Sequence, residues 1–180
     1  YLGDDQDSMI KSLEAIKPKV EQGATRQEIN ELMPPGGARN ALDCAFWDLE
    51  CKQFEKSIWE LVGITPNPLF TVATIGIGTL EQMANRAIEL AAFRNIKIKV
   101  SDQSPVEAVA AVREVRPDAA LVVDANQGWS LSQLEEFAPK LDILGVKMIE
   151  QPLARGMDHQ LANFRSPVPL GADESVLDLA

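Results

Sequence analysis

Four polar residues punctuate the second half of this chain at nearly constant intervals. Lys99, Asp124, Glu150 and Asp173 follow one another at 25, 26 and 23 residues, each at or just past the end of a short β-rich run. The runs are 70–75, 96–100, 121–123, 146–149 and 169–172. Between them lie amphipathic segments. Leu80, Met83, Ala84, Ala87, Ile88 and Ala91 form one apolar stripe, Val106, Val109, Ala110 and Val112 a second, and Leu131, Leu134, Phe137 and Leu141 a third. Capping pairs open these helices at Thr79 with Gln82, Ser104 with Glu107 and Ser130 with Gln133, and Pro105 takes a first helical position. A strand–helix unit repeating at about 25 residues implies parallel strands with right-handed crossovers. Two folds do this, the closed (β/α)8 barrel and the doubly wound open sheet. The barrel is favoured, because its sites are built from the ends of several strands, whereas an open sheet concentrates its chemistry at one switch point. Gly76-Ile77-Gly78 is too short for a dinucleotide-binding fingerprint.

Residues 1–65 read differently. Met9, Leu13, Ile16 and Val20 recur at helical spacing, Thr25 and Glu28 form a capping box, and Pro34-Pro35-Gly36-Gly37 breaks the short helix that follows. Helical period returns over 38–54, Ser57 and Glu60 cap another helix, and Gly63 is a helix stop. Thr65-Pro66-Asn67-Pro68 is a linker, so the expected domains are 1–65, helical, and 66–180, the first five βα units of a barrel. A whole barrel needs eight units. With Tyr1 at the start, the chain reads as a fragment lacking both ends and carrying no signal peptide.

Composition narrows the function classes. Lys plus Arg is 17 against Asp plus Glu 27, a net charge of −10 with no basic cluster. That excludes nucleic acid and anionic membrane surfaces as partners and suits a protein that holds a cation. No apolar run reaches the roughly 18 residues of a membrane span. Cys44 and Cys51, seven apart in an apolar helical pattern, read as small buried hydrophobes in a reducing, cytoplasmic setting.

The strand ends carry the chemistry. One acid after a strand reads as a helix cap. Three in phase, at Asp124, Glu150 and Asp173, would converge in a barrel and repel one another unless a cation sat among them. An all-oxygen site without Cys or His suits Mg2+ or Mn2+. In Ile96-Lys97-Ile98-Lys99-Val100, alternation puts both lysines on one face and the aliphatics on the other. The aliphatics belong against the helices, which turns the lysines inward; a solvated edge strand is the competing reading. A second ammonium and partial desolvation lower a lysine pKa, which suits a base. A dication that holds a substrate carboxylate, paired with a lysine that takes the α-proton, is the pairing of enolase-superfamily sites.

The motifs Lys97-Ile98-Lys99, Val123-Asp124-Ala125-Asn126, Ile149-Glu150-Gln151-Pro152 and Ala172-Asp173-Glu174-Ser175 resemble the muconate-lactonizing-enzyme subgroup of the enolase superfamily. Ala38-Arg39-Asn40-Ala41-Leu42-Asp43-Cys44-Ala45, the stretch 71–78 and Asp124-Ala125-Asn126-Gln127-Gly128-Trp129 bring the likeness nearer to the L-Ala-D/L-Glu epimerases, a kind of dipeptide epimerase. The resemblance implies a partial barrel preceded by the helical part of an α+β capping domain. It implies one Mg2+ per subunit on Asp124, Glu150 and Asp173, with Mn2+ a substitute. It makes Lys99 the acid/base on one face of the α-carbon, and Lys97 and Thr74 substrate contacts. The partner is then a small dipeptide, and a homo-oligomeric parent is compatible with it. The family's opposite-face lysine stands at the end of a sixth strand, so these 180 residues are expected to be inactive alone. The same frame serves o-succinylbenzoate synthase-like dehydration and muconate-type cycloisomerisation. A non-catalytic module binding a divalent cation is the third alternative, and the inward lysines speak against it. His159 reads as a surface residue, Trp47 and Trp59 as helix packing, Trp129 as packing or pocket lining, and Asn126 as support for the metal.

Overall fold

Residues 3–177 are described by the computed structural model. They divide into two units, one running to Pro68 and the other spanning Leu69–Val176. The first unit holds α1 (Gln6–Glu21), α2 (Arg26–Leu32), α3 (Gly37–Phe54) and α4 (Ile58–Val62). Reciprocal bonds between Thr25 and Glu28 open α2, and the same pairing of Ser57 with Glu60 opens α4. Asp5 and Ser8 close a third such box at α1, with a Ser where the usual signature has Glu or Gln. Ile29, Met33 and Ala38 are buried, ringed by Met9, Leu13, Ile16, Val20, Leu42 and Phe46.

The two cysteines depart from expectation: Cys44 is exposed and Cys51 half-buried. Ala38, Leu42 and Phe46, at four-residue spacing, define the packed face of α3. At about 100° per residue, Cys44 and Cys51 fall on its opposite side. Trp59 is likewise exposed. Trp47 is half-buried, with the Arg26 guanidinium 3.6 Å above its ring centroid, a cation–π contact.

The second unit is a parallel sheet of β1 (Val72–Ile75), β2 (Asn95–Lys99), β3 (Ala120–Asp124), β4 (Val146–Glu150) and β5 (Leu170–Gly171), in the order β1-β2-β3-β4-β5. That order has no switch point. Right-handed crossovers that always step the same way put α5 (Leu80–Glu89), α6 (Pro105–Val115) and α7 (Leu131–Ile143) on one face, as in a barrel wall and not in a doubly wound sheet. The fourth crossover carries only a short 3-10 helix, Asp158–Asn163.

Alternation decides what faces the helices. Ile96 and Ile98 of β2, Leu121 and Val123 of β3, and Ile149 of β4 are fully buried. They share one core with Met83 and Ala87 of α5, Val109 and Val112 of α6, and Leu134, Ala138 and Leu141 of α7. The residues between them project to the opposite face. A register shift on β4 pairs Leu121 with Val146 but Val122 with Met148, so the strand takes in Lys147 without turning Ile149 off the core.

Thr79–Gln82 and Ser130–Gln133 form the expected capping boxes. Ser104 does not cap α6. Its ψ of 51°, against 156° at Thr79 and 165° at Ser130, turns the hydroxyl away from the first-turn N–H groups. Pro105 takes the first helical turn as expected.

Two arginines at the far end of the sheet went unnoticed in the sequence. Arg116, 5% exposed, donates to the carbonyls of Ala87 (3.3 Å), Leu90 (2.8 Å) and Phe93 (2.7 Å) and pairs with Asp118. Ala87 lies in the last turn of α5 and Leu90 is its C-cap, where carbonyls have no partner within the helix. Arg113 does the same for Leu144 at the end of α7 (2.9 Å) and for Ala119 (2.7 Å). The hydrogen bonds from Arg116 hold the Asp118 carboxyl below the usual carboxylate range. Arg116→Met keeps the aliphatic stem and leaves the carbonyls of Ala87 and Phe93 without a donor, while Leu90 O keeps the Phe93 N–H. It is expected to cost about 3 kcal/mol, read as a lower urea midpoint. Asp118→Asn, at an exposed position, is expected to cost much less.

Candidate active site

The C-terminal ends of the middle strands lie level. Lys99 pairs with Asp124, Asp124 with Glu150, and Glu150 with Gly171. Paired residues of parallel strands project to the same face. One row puts Ile98, Val123, Ile149 and Leu170 on the helix side. The next therefore puts Lys99, Asp124 and Glu150 on the other side. Two residues back along the strands, Thr74 lies beside Lys97 in the same sense. Gly171 completes the row, where a Cβ would press to 2.9 Å from the Met148 sulfur.

Charges of both signs interleave on that face. The Lys97 ammonium lies 3.1 and 3.2 Å from the two Glu150 oxygens and 3.2 Å from Asp124 Oδ2. Lys99 Nζ stands 3.3 Å from the same Asp124 oxygen and donates to Asn126 Oδ1 at 2.7 Å. Asp124 is 1% exposed, and its Oδ1 accepts the Asn126 N–H at 3.0 Å. Its Oδ2 is buried, flanked by two ammonium groups, and receives no well-directed hydrogen bond. Burial pushes Lys97 down, but the hydrogen bonds to Glu150 and Asp124, together with their charges, outweigh it and hold its pKa above the ordinary lysine value. Two carboxylates at about 3 Å outweigh the lost hydration.

The loops that follow these strands are tightly turned. Asn126 (φ 44°), Gln127 (φ 66°) and Gln151 (φ 35°) all hold left-handed backbone. Strain of this kind costs on the order of 1 kcal/mol or more per residue and needs surrounding contacts to sustain it. Those contacts are present: Gln127 N–H donates to Gln151 O (2.8 Å), Trp129 N–H to Pro152 O (2.9 Å), and Ala125 N–H to Glu150 O (3.2 Å). Gly128 is required at its turn, because a Cβ there would sit 2.8 Å from the Ala125 carbonyl oxygen. Trp129 is packing and not pocket lining. It is buried, meets Phe137 edge-on at 5.2 Å, and donates its indole N–H to Ser101 O at 3.3 Å.

Of the residues singled out from sequence, Lys97, Lys99, Asp124 and Glu150 come together, with Asn126 joined to them through Lys99. Asp173 stands apart, exposed, two residues beyond Gly171. Thr74 is exposed on β1. Among the described residues, no three His, Cys, Asp or Glu side chains are gathered closely enough to hold a metal ion. The donor chemistry of Asp124 and Glu150 nevertheless suits a hard dication, and Asp124 Oδ2 is a buried oxygen with unused accepting capacity. His159 lies on the surface as expected. The sequence reading did not single out Gln151, which is 1% exposed and bonds the loop that carries Asp173. No helix of the described residues is long and apolar enough to cross a membrane.

Known proteins share this arrangement of chain. Residues 79–180 match the family described as enolase C-terminal domain-like, and residues 4–63 match the mandelate racemase / muconate lactonizing enzyme N-terminal domain. The L-Ala-D/L-Glu epimerase of Escherichia coli (strain K12) is 42% identical over 96% of this chain and 55% of its own length. An enolase family member from Agrobacterium tumefaciens, with homology to dipeptide epimerases and solved with sodium and L-Ala-L-Glu, superposes with a TM-score of 0.85. It is 37% identical over 97% of this chain and 54% of that one. A dipeptide epimerase from Enterococcus faecalis V583, solved with Mg and the dipeptide L-Leu-L-Tyr, gives a TM-score of 0.82 at 25% identity over 96% of this chain and 53% of that one. The chain spans about half the length of the curated relatives it matches. It belongs to the enolase C-terminal domain-like family, with a mandelate racemase / muconate lactonizing enzyme N-terminal domain ahead of its parallel sheet.

Proposed function

We propose that this chain is part of a Mg2+-dependent dipeptide epimerase of the L-Ala-D/L-Glu type. The observation that carries the reading is the level row of Lys99, Asp124 and Glu150 across three adjacent strands, with the Lys97 ammonium between the two carboxylates. In this reading residues 1–65 belong to the capping domain and 66–180 are the first five βα units of the barrel. Asp124, Glu150 and Asp173 would hold the ion, one per subunit and replaceable by Mn2+. Once bound, it supplies Lewis-acid stabilisation of the negative charge that develops on the substrate carboxylate.

The remaining work falls to side chains. Lys99, as the free amine once a dication has taken its place against Asp124, would take the α-proton at Nζ. Its 2.7 Å bond to Asn126 Oδ1 fixes the amine's orientation and leaves the other directions around nitrogen for substrate. Lys97 contributes a positive charge beside the substrate carboxylate. Thr74, in the Lys97 row, contacts substrate. Both lysines project from β2 and so serve one side of the α-carbon. Inversion takes a second acid/base on the other side, and residues 1–180 by themselves are proposed to lack epimerase activity.

The intact protein tests this with L-Ala-L-Glu and Mg2+ in D2O, where deuterium should enter the Glu α-carbon as inversion proceeds. Lys99→Ala is expected to lower turnover about 10³-fold while Mn2+ affinity, followed by paramagnetic resonance, stays unchanged. Turnover at the wild-type rate in that variant would overturn the reading. Sustained dehydration or ring closure of other acids in place of epimerisation would redirect it within the superfamily.

Lys97 also makes the metal-free fold sensitive to pH. Its raised pKa means that the folded state binds the proton more tightly than the unfolded chain. The stabilisation is fully present below the ordinary lysine range and is lost only as pH climbs through the raised folded value. Lys97→Met is therefore expected to lower the unfolding temperature of metal-free protein throughout neutral pH. The gap to wild type should close in strongly alkaline buffer.

A further inference from the structure

The loop after β5 carries two adjacent acids with opposite fates. Asp173 is exposed, while Glu174 is 7% exposed and neither of its carboxylate oxygens has a hydrogen-bond partner among the described residues. A carboxylate in that position is costly to keep, and rotating the loop would exchange it with its neighbour. Something must hold the peptide on both sides of Glu174. That role falls to the amide of Gln151. Its Oε1 accepts the N–H of Asp173 at 2.9 Å and of Ser175 at 3.1 Å, the two donors flanking Glu174. Its Nε2 donates to Ser175 Oγ at 2.8 Å and to Leu153 O at 2.9 Å. All four bonding directions of one primary amide are thereby used. Its backbone is fixed as well: the N–H donates to Gly171 O, and the carbonyl accepts from Gln127.

We infer that Gln151 is a positioning residue that holds the β5 loop so that Asp173, and not Glu174, is the exposed carboxylate left free to take up a cation. The inference rests on the reading of Asp173 as a metal ligand. Gln151 follows Glu150 directly, so one strand end contributes a carboxylate and its next residue places the carboxylate of the neighbouring strand.

Three variants of the intact protein separate the possibilities: Gln151→Met, which fills the same volume without the amide, Gln151→Glu, which can still accept both N–H groups, and Asp173→Asn. The readouts are Mn2+ affinity by paramagnetic resonance and amide hydrogen exchange at residues 173–175. Gln151→Met is expected to weaken Mn2+ binding about 10- to 100-fold and to speed exchange at Asp173 and Ser175. Wild-type kcat should return at saturating Mn2+, which a general loss of structure would not allow. Gln151→Glu should keep the exchange protection. Wild-type Mn2+ affinity in Gln151→Met, alongside weakened binding in Asp173→Asn, would overturn the proposal. Unchanged affinity in Asp173→Asn would overturn the ligand assignment instead, and the exchange data would then decide the clamp on its own. Should Gln151→Met fail to fold, exchange in the wild-type protein still decides: unprotected N–H groups at both positions would overturn the clamp.

Discussion

Two carboxylates on neighbouring strands, one of them 1% exposed, repel at close quarters unless positive charge lies between them. Asp124 and Glu150 meet that condition through Lys97, which touches both, and through Lys99 on the far side of Asp124. Everything else about this face follows from keeping the four side chains level. The parallel register places them in adjacent rows, the buried aliphatics between them anchor each strand to the helices, and the register shift in β4 restores alternation before Glu150 is reached. A slip of one residue in any strand would turn its charge into the apolar layer and its aliphatic side chains toward the site. Register and electrostatics therefore enforce one another.

Much of this was legible because it is periodic. The near-25-residue spacing and the alternation in 96–100 gave the strands to within two residues and the face on which both lysines stand. Capping pairs located four helix starts because a hydroxyl and an acid or amide three residues apart satisfy each other's neighbours from local geometry alone. Where that pairing failed to form, at Ser104, the start was still marked by Pro105, whose ring pre-sets the helical φ.

What was not legible depends on groups distant in sequence. The exposure of Cys44 follows from which face of α3 meets α1 and α2, and a helix with apolar residues on several sides does not announce that. The direction of the Lys97 shift depends on carboxylates 27 and 53 residues away in the sequence. Arg116 reads as an ordinary surface cation until three carbonyls from the end of α5 and the turn after it are seen converging on it. Gln151 is harder still. A glutamine after a strand end has no pattern of its own, and its importance appears only when the amides of Asp173 and Ser175 arrive beside it.

The strand-borne charges also explain why the third acid sits on a loop. Lys97 and Lys99 against Asp124 and Glu150 sum to no net charge, so the rigid part of the site is balanced as it stands. A third carboxylate fixed on a strand at the same depth would add a buried negative charge without a counterion and would strain the fold whenever no cation was bound. On the loop after β5, Asp173 is exposed to water, while the bonds to Gln151 limit how far its backbone can wander. In the proposed ligand set two carboxylates are fixed on strands and one is tethered on a loop, a division that would let the chain fold first and take up its cation afterwards.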